Sequence, residues 1–160
     1  MAKAETISID NFLKDLDTRS KEFKDMAGRS LYEGAAILAD ELRKGIEDLP
    51  ERKGSVKKGE MARGVTPQQK KALLDHMGVT RMQNNDGTYD IKIGFQGYDD
   101  DITKAYPKGH PVSMIARSVE SGTSFLQKTP FIRPAANKAK ALAEEAMRKK
   151  LEEGWAGVNS

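Results

Sequence analysis

Leu31-Tyr-Glu-Gly-Ala-Ala-Ile-Leu-Ala-Asp-Glu-Leu-Arg-Lys-Gly-Ile-Glu-Asp-Leu49 carries the most regular pattern in the chain. Leu31, Ala35, Leu38, Leu42, Ile46 and Leu49 follow at steps of three or four residues, which lines their side chains along one face of an α-helix. Asp40, Glu41, Arg43, Lys44, Glu47 and Asp48 fall between them on a solvated face. Upstream, Phe12, Leu13, Leu16, Phe23 and Ala27 recur at helical spacing behind Asp10, a residue suited to capping. Residues 5–10 alternate briefly, as a short strand or an ordered lead-in does. Gly28, Gly34 and Gly45 each weaken a helix by up to about 1 kcal/mol relative to alanine. The pattern therefore allows one kinked helix over about 11–48 or two in succession, ended by Pro50.

Beyond Pro50 the periodicity stops. Residues 50–66 are rich in glycine and basic residues, with Arg52, Lys53, Lys57, Lys58 and Arg63 against Glu51 and Glu60, and predict a long mobile loop. Thr66-Pro67 reads as a helix cap followed by proline in the first turn, opening a short helix through Leu73 and Leu74 that stops near Gly78. Val79–Gln83 and Thr88–Phe95 predict two strands around Asn84-Asn85-Asp86-Gly87, a strong hairpin turn. Tyr89, Ile91, Ile93 and Phe95 share one face of that hairpin, and Asp90 and Lys92 the other. A loop over 96–111 carries Asp99, Asp100 and Asp101, and Val112–Val119 forms a helix or a strand ending at Gly122. From Pro134 a long helix is predicted, with Ala135, Ala139, Leu142, Ala146 and Leu151 in one stripe that Trp155 extends. The expectation is an α+β fold: long amphipathic helices packed against a small antiparallel sheet, with the C-terminal helix across it. A single domain over 1–160 with a flexible basic loop at about 50–66 accommodates all of it.

Composition bounds the function. Hydrophobic residues make up 38% and aromatic residues 6% of the chain, against 32% charged. That supports one modest core and suggests a protein that buries further surface against partners. Lys and Arg number 27 against 24 Asp and Glu, a net charge of +3 that is low for a dedicated DNA-binding domain. The absence of cysteine excludes disulfides, thiolate catalysis and Cys-ligated metals. The first residues lack the apolar core of a signal peptide, and no apolar run approaches the ~20 residues that span a bilayer. A soluble protein made in a cytoplasm is expected.

Catalytic patterns are missing. His76 and His110 have no histidine three or four residues away, and His110 sits in a turn-like context. Asp99-Asp100-Asp101 lacks the alternating ligands, glycine and distal glutamate of a calcium loop, so it reads as a solvated acidic loop or a docking spot for a basic partner. The glycines near Lys53–Lys58 do not form a phosphate cradle. Ser121, Thr123 and Ser124 have no nearby histidine to activate them and read as turn hydroxyls. Glu144-Glu145 and Glu152-Glu153 belong to a helix surface of alternating charge. No cofactor or metal site is expected. The basic loop is the one feature with electrostatic direction: its charges suit phosphates or an acidic partner, and no aromatic residues interleave with them to stack bases.

The most distinctive segment is Glu120-Ser-Gly-Thr-Ser-Phe-Leu-Gln-Lys-Thr-Pro-Phe-Ile-Arg-Pro-Ala-Ala136. Gly122 permits a tight turn, Thr123 and Ser124 can bond back to the backbone, and Pro130 and Pro134 stiffen the chain around them. Phe131 and Ile132 supply an anchor, Arg133 a fixed charge and Pro134 a helix start. Gly122-Thr123-Ser124 followed by Pro130-Phe131-Ile132-Arg133-Pro134-Ala135, and the preceding Met114–Glu120 run, resemble the small tail-component, or neck and tail-completion, proteins of long-tailed bacteriophages. The resemblance implies a non-enzymatic virion protein at the head–tail junction, made in the host bacterial cytoplasm. It implies a homo-oligomeric ring, commonly a sixfold hexamer, around the DNA channel, with neighbouring neck, tail-terminator or tail-tube proteins as partners and no membrane. Gly122–Ser124 and Pro130–Pro134 are then expected near a subunit contact, and Arg52, Lys53, Lys57, Lys58 and Arg63 near DNA or a partner. Capping of the tail tube as a terminator is the alternative within the virion. A small DNA-binding regulator is the alternative outside it, opposed by the balanced charge and the lack of a helix-turn-helix pattern.

Overall fold

The computed structural model describes residues 9–158, with side chains from residue 17 onward. In chain order the elements are α1 (Ile9–Glu47), α2 (Pro67–Asp75), β1 (Met77–Val79), β2 (Gln83–Asn85), β3 (Thr88–Asp90), β4 (Ile93–Phe95), α3 (Val112–Ser121) and α4 (Ile132–Val158). The architecture is α+β, as the sequence predicts. α1 is one uninterrupted helix of 39 residues, which settles the choice between one helix and two. Asp10 lies inside it rather than ahead of it, and residues 5–8 of the expected lead-in fall outside the described residues.

The glycines that looked like weak points in α1 are contact points. A Cβ at Gly34 would come within 2.7 Å of the Met147 side chain, and Ser30, 2% exposed, donates to the Met147 carbonyl at 2.9 Å. The small residues Ala139 and Ala143 face α1 from the other side. Gly34 makes room for Met147, and alanines fill the rest of the facing stripe, so two long helices pair with few aromatics. Lys138 of α4 bridges to Glu41 of α1 at 3.0 Å, and Lys44 reaches the same carboxylate at 2.8 Å.

The main core lies at the C-terminal end of α1. Leu42, Ile46 and Leu49 meet Val65, Leu73, Val112, Ile115, Val119, Phe131 and Ala135 there. Leu31, Ala35 and Leu38 are only half-buried, because the partner along that stretch is the small-residue face of α4. α2 opens with the expected cap: Thr66 Oγ1 accepts the Gln69 N–H at 3.1 Å, and the Gln69 side chain accepts the Thr66 N–H at 3.1 Å, with Pro67 in the first turn. Val112–Ser121 resolves as helix.

The hairpin forms two short antiparallel ladders, β1 with β4 (Met77↔Phe95, Val79↔Ile93) and β2 with β3 (Gln83↔Asp90, Asn85↔Thr88). Between the ladders, residues 80–82 oppose residues 91–92, so one extra residue bulges the first strand and breaks the strands predicted over 79–83 and 88–95. The turn is Asp86-Gly87, both at positive φ (51° and 87°). Phe95 meets Phe131 edge-on at 6.2 Å in the core, while Tyr89 reaches Phe23 of α1 at 6.4 Å.

α4 departs from the expectation in two ways. It runs along α1 rather than across the sheet. Its buried stripe is Ala135, Ala139 and Ala143, whereas Leu142 and Trp155 are each 60% exposed and Leu151 is also exposed. Ala135 and Ala139 of the stripe read from sequence are buried as expected, but it continues through Ala143 rather than Leu142 and Leu151.

Candidate functional site

The connector between α3 and α4 is built on one carboxylate. Glu120, in the last turn of α3, accepts the backbone N–H groups of Phe131 at 2.7 Å, Ile132 at 2.8 Å and Arg133 at 3.1 Å. These are the donors that the first turn of α4 leaves without an intrahelical acceptor. The next residue, Pro134, has no N–H to satisfy, and the Ala135 N–H returns to the Phe131 carbonyl at 3.3 Å. One side chain thus caps a 27-residue helix from outside and places a negative charge at its positive end. Burial pushes the Glu120 carboxyl up, but the three amides and the nearby Arg133 guanidinium together outweigh it and hold the carboxyl below its usual range. The helix begins at Ile132, two residues before the predicted start, because this cap lies upstream of Pro134.

Between these ends the chain turns back. Gly122 closes α3 at φ 75°, donating its N–H to the Ser118 carbonyl. Thr123 Oγ1 accepts the N–H groups of Phe125 and Leu126 at 3.2 and 3.1 Å, and the Thr123 N–H meets the Leu126 carbonyl at 2.9 Å. Ser124 makes no comparable bond among the described residues. The motif residues divide by orientation. Phe131 is buried in the chain's own core and Ile132 packs against it. Thr123, Ser124, Pro130, Arg133 and Pro134 are exposed.

The structure joins this connector to the basic loop. Ala62 and Leu126 form a parallel bridge: the Ala62 N–H bonds the Phe125 carbonyl and the Gln127 N–H bonds the Ala62 carbonyl, both at 2.8 Å. The base of the loop is pinned as well. Glu51 bridges Val65, which is fully buried, and the Val65 N–H meets the Pro50 carbonyl at 2.9 Å. Gly64 sits at φ 77° with the Pro50 carbonyl oxygen where a Cβ would point, so only glycine fits the closure. Lys70 neutralises Glu51 at 3.2 Å. Lys53, Lys57, Lys58 and Arg63 are exposed and form no ion pair among the described residues, while Arg52 is half-buried with its Nε lacking a hydrogen-bond partner among them.

The acidic loop is organised at the opposite end of α2 and α3. Asp99 is buried and accepts the N–H groups of His110 at 2.6 Å and Asp101 at 3.2 Å. His110 Nδ1 lies 3.4 Å from Asp99 and 3.8 Å from Asp101, and its ring packs against Tyr106 at 4.4 Å between centroids, tilted by 39°. These contacts give His110 and Asp99 a role in holding the loop. Sequence reasoning quoted Glu120 as the end of the Met114–Glu120 run but missed its role as a cap; the signal available was an acidic residue in a helix's last turn, where it opposes that helix's own dipole, ahead of a proline-flanked helix start.

A family model described as "Bacteriophage HK97-gp10, putative tail-component" matches residues 10–122. The matched segment takes in nearly all of α1, the basic loop, α2, the hairpin and α3, including Glu120, and stops at Gly122. The rest of the connector and α4 lie beyond it. The chain belongs to this family of bacteriophage tail components. No curated protein and no solved structure matches the chain.

Proposed function

We propose that the chain is a non-enzymatic structural subunit of the phage head–tail junction, acting in tail completion or neck joining and closing into a ring around the DNA channel. The observation that carries this reading is the tail-component match, which spans everything from α1 to the end of α3. The geometry supports it. Phe125, 79% exposed at the tip of the Thr123 turn, and Met61 beside it leave apolar surface that a ring contact can bury. No helix among the described residues is long and apolar enough to cross a membrane. The ring places the protein in the virion, with neck, tail-terminator or tail-tube proteins above and below it.

Negative-stain imaging of the purified chain over a concentration series tests this directly. Closed rings with an opening wide enough for duplex DNA are expected, sixfold by the resemblance read from the sequence. A chain that stays monomeric at every concentration, alone and with tail-tube protein, overturns the ring.

A further inference from the structure

α2 and α3 pack side by side and run in opposite directions, so the two loops lie at opposite ends of a layer about 15 Å long. At one end, α2 begins after the basic loop and α3 runs into the connector; at the other, α2 ends beside Gly97 and α3 begins where the Val112 N–H meets the Gly97 carbonyl. Both ends expose large apolar side chains among charges of opposite sign.

At the basic end, side-chain alternation about the Ala62–Leu126 bridge decides what faces out. Ala62 is buried and Leu126 packs on the core, so their neighbours Met61, Arg63 and Phe125 point the other way and are exposed. At the acidic end, Asp99 turns inward, while Asp100 and Asp101 are exposed, Asp100 within electrostatic reach of Lys71 of α2 and Asp101 3.8 Å from His110 Nδ1; Ile102 is 70% exposed, and Tyr98 and Tyr106 are exposed in the same loop. Lys104 and Lys108 lie further along that loop and Lys71, paired with Asp75, stands beside it, so the negative charge open to a partner is that of Asp100 and Asp101.

We infer that these two faces bind each other between copies of this chain. Phe125 and Met61 of one copy would pack on Ile102 and Tyr98 of the next, with Arg63 opposite Asp100 and Asp101. The proposal rests on the ring reading above and deepens it by naming the contact. Two unlike faces at opposite ends of one layer make a heterologous contact, the kind that propagates head to tail and closes into a ring. A second copy is favoured over nucleic acid because the basic face carries a nearly free phenylalanine and a methionine, which phosphates do not use and an apolar protein face does. It is favoured over an isologous dimer through the basic face because the exposed Lys53, Lys57, Lys58 and Arg63 repel their own copy.

The lack of native cysteine makes the test clean. Phe125→Cys and Ile102→Cys are prepared singly and together in the full chain, both at exposed positions, and treated with a short bis-maleimide at concentrations where sedimentation reports the oligomeric state. The double variant is expected to give a ladder of crosslinked species, the mixed single variants a dimer, and each single variant alone none. Adding Arg63→Glu should lower crosslink yield roughly tenfold, and a further Asp101→Arg should restore it. Dimers from Phe125→Cys alone overturn the head-to-tail contact. So do oligomers by sedimentation in which the two introduced thiols do not link, an outcome that leaves the ring reading standing. Because the variants give up Phe125 and Ile102, the oligomeric state of the unsubstituted chain is the control: an unsubstituted chain that sediments as a monomer at these concentrations overturns both. Salt-sensitive protection of the Phe125→Cys thiol by duplex DNA assigns the basic face to nucleic acid and overturns the contact.

Discussion

Glu120 satisfies three amides at once, and its charge is what makes the arrangement strong. Glu120→Ala leaves those donors facing a partly apolar junction and should cost about 2 kcal/mol of stability; Glu120→Gln, which keeps one acceptor, should cost about half as much. Chemical denaturation at pH 7 checks both. The pH dependence derives from the lowered carboxyl. Its contribution is complete above the unfolded carboxyl value of about 4.3 and is lost as pH falls through the lower folded value. The stability gap between wild type and Glu120→Gln should therefore hold from pH 7 to about pH 5 and shrink progressively as pH falls below the unfolded carboxyl value of about 4.3. A gap that is independent of pH contradicts the carboxylate's role. At Gly64, alanine meets both a positive φ and the Pro50 carbonyl, whereas Gly54, also at positive φ, has open space around it. Gly54→Ala should cost about 1 kcal/mol and Gly64→Ala more than about 3 kcal/mol, read from denaturation midpoints.

At the scale of elements, α4 separates what a pattern shows from what packing decides. Its existence and length were legible from spacing and from Pro134. Its buried face was not, because spacing alone cannot tell that Ser30 and Gly34 of the neighbouring helix receive Met147 and that Ala139 and Ala143 are the positions turned to α1. The cap of α2 was fully legible, since Thr66, Pro67 and Gln69 act within one turn. The split of the hairpin was not, since a one-residue bulge leaves no mark on a period-two pattern. The connector's turn was readable from Gly122 and Thr123, while its meeting with Ala62, 64 residues away along the chain from Leu126, depends on the whole fold. The corrected face of α4 has a direct check. Ala139→Leu should destabilise by about 1–3 kcal/mol through overpacking against α1, while Leu142→Gln should stay within about 0.5 kcal/mol. Thermal unfolding of the two variants distinguishes them, and the reverse order contradicts the pairing of α1 with α4.

Across the whole molecule, α1 is a spine with the core at its C-terminal end and the hairpin docked further up, where Tyr32 Oη accepts the Met82 N–H at 3.1 Å. The basic and acidic faces flank the core end. This puts the surfaces proposed for self-association on the best-packed part of the chain, so the proposed interface rests on rigid support. Neutralising Lys57 and Lys58 to alanine should weaken self-association while leaving duplex affinity unchanged, measured by sedimentation and by a salt-dependent gel shift. The reverse result moves the loop to the DNA channel. The most direct test of the central claim, a structural subunit joining head and tail, is electron microscopy of particles made without this protein. The account predicts DNA-filled heads beside tails of normal length that fail to join. Overlong tails place the protein at tail termination instead, and intact infectious particles contradict the account outright.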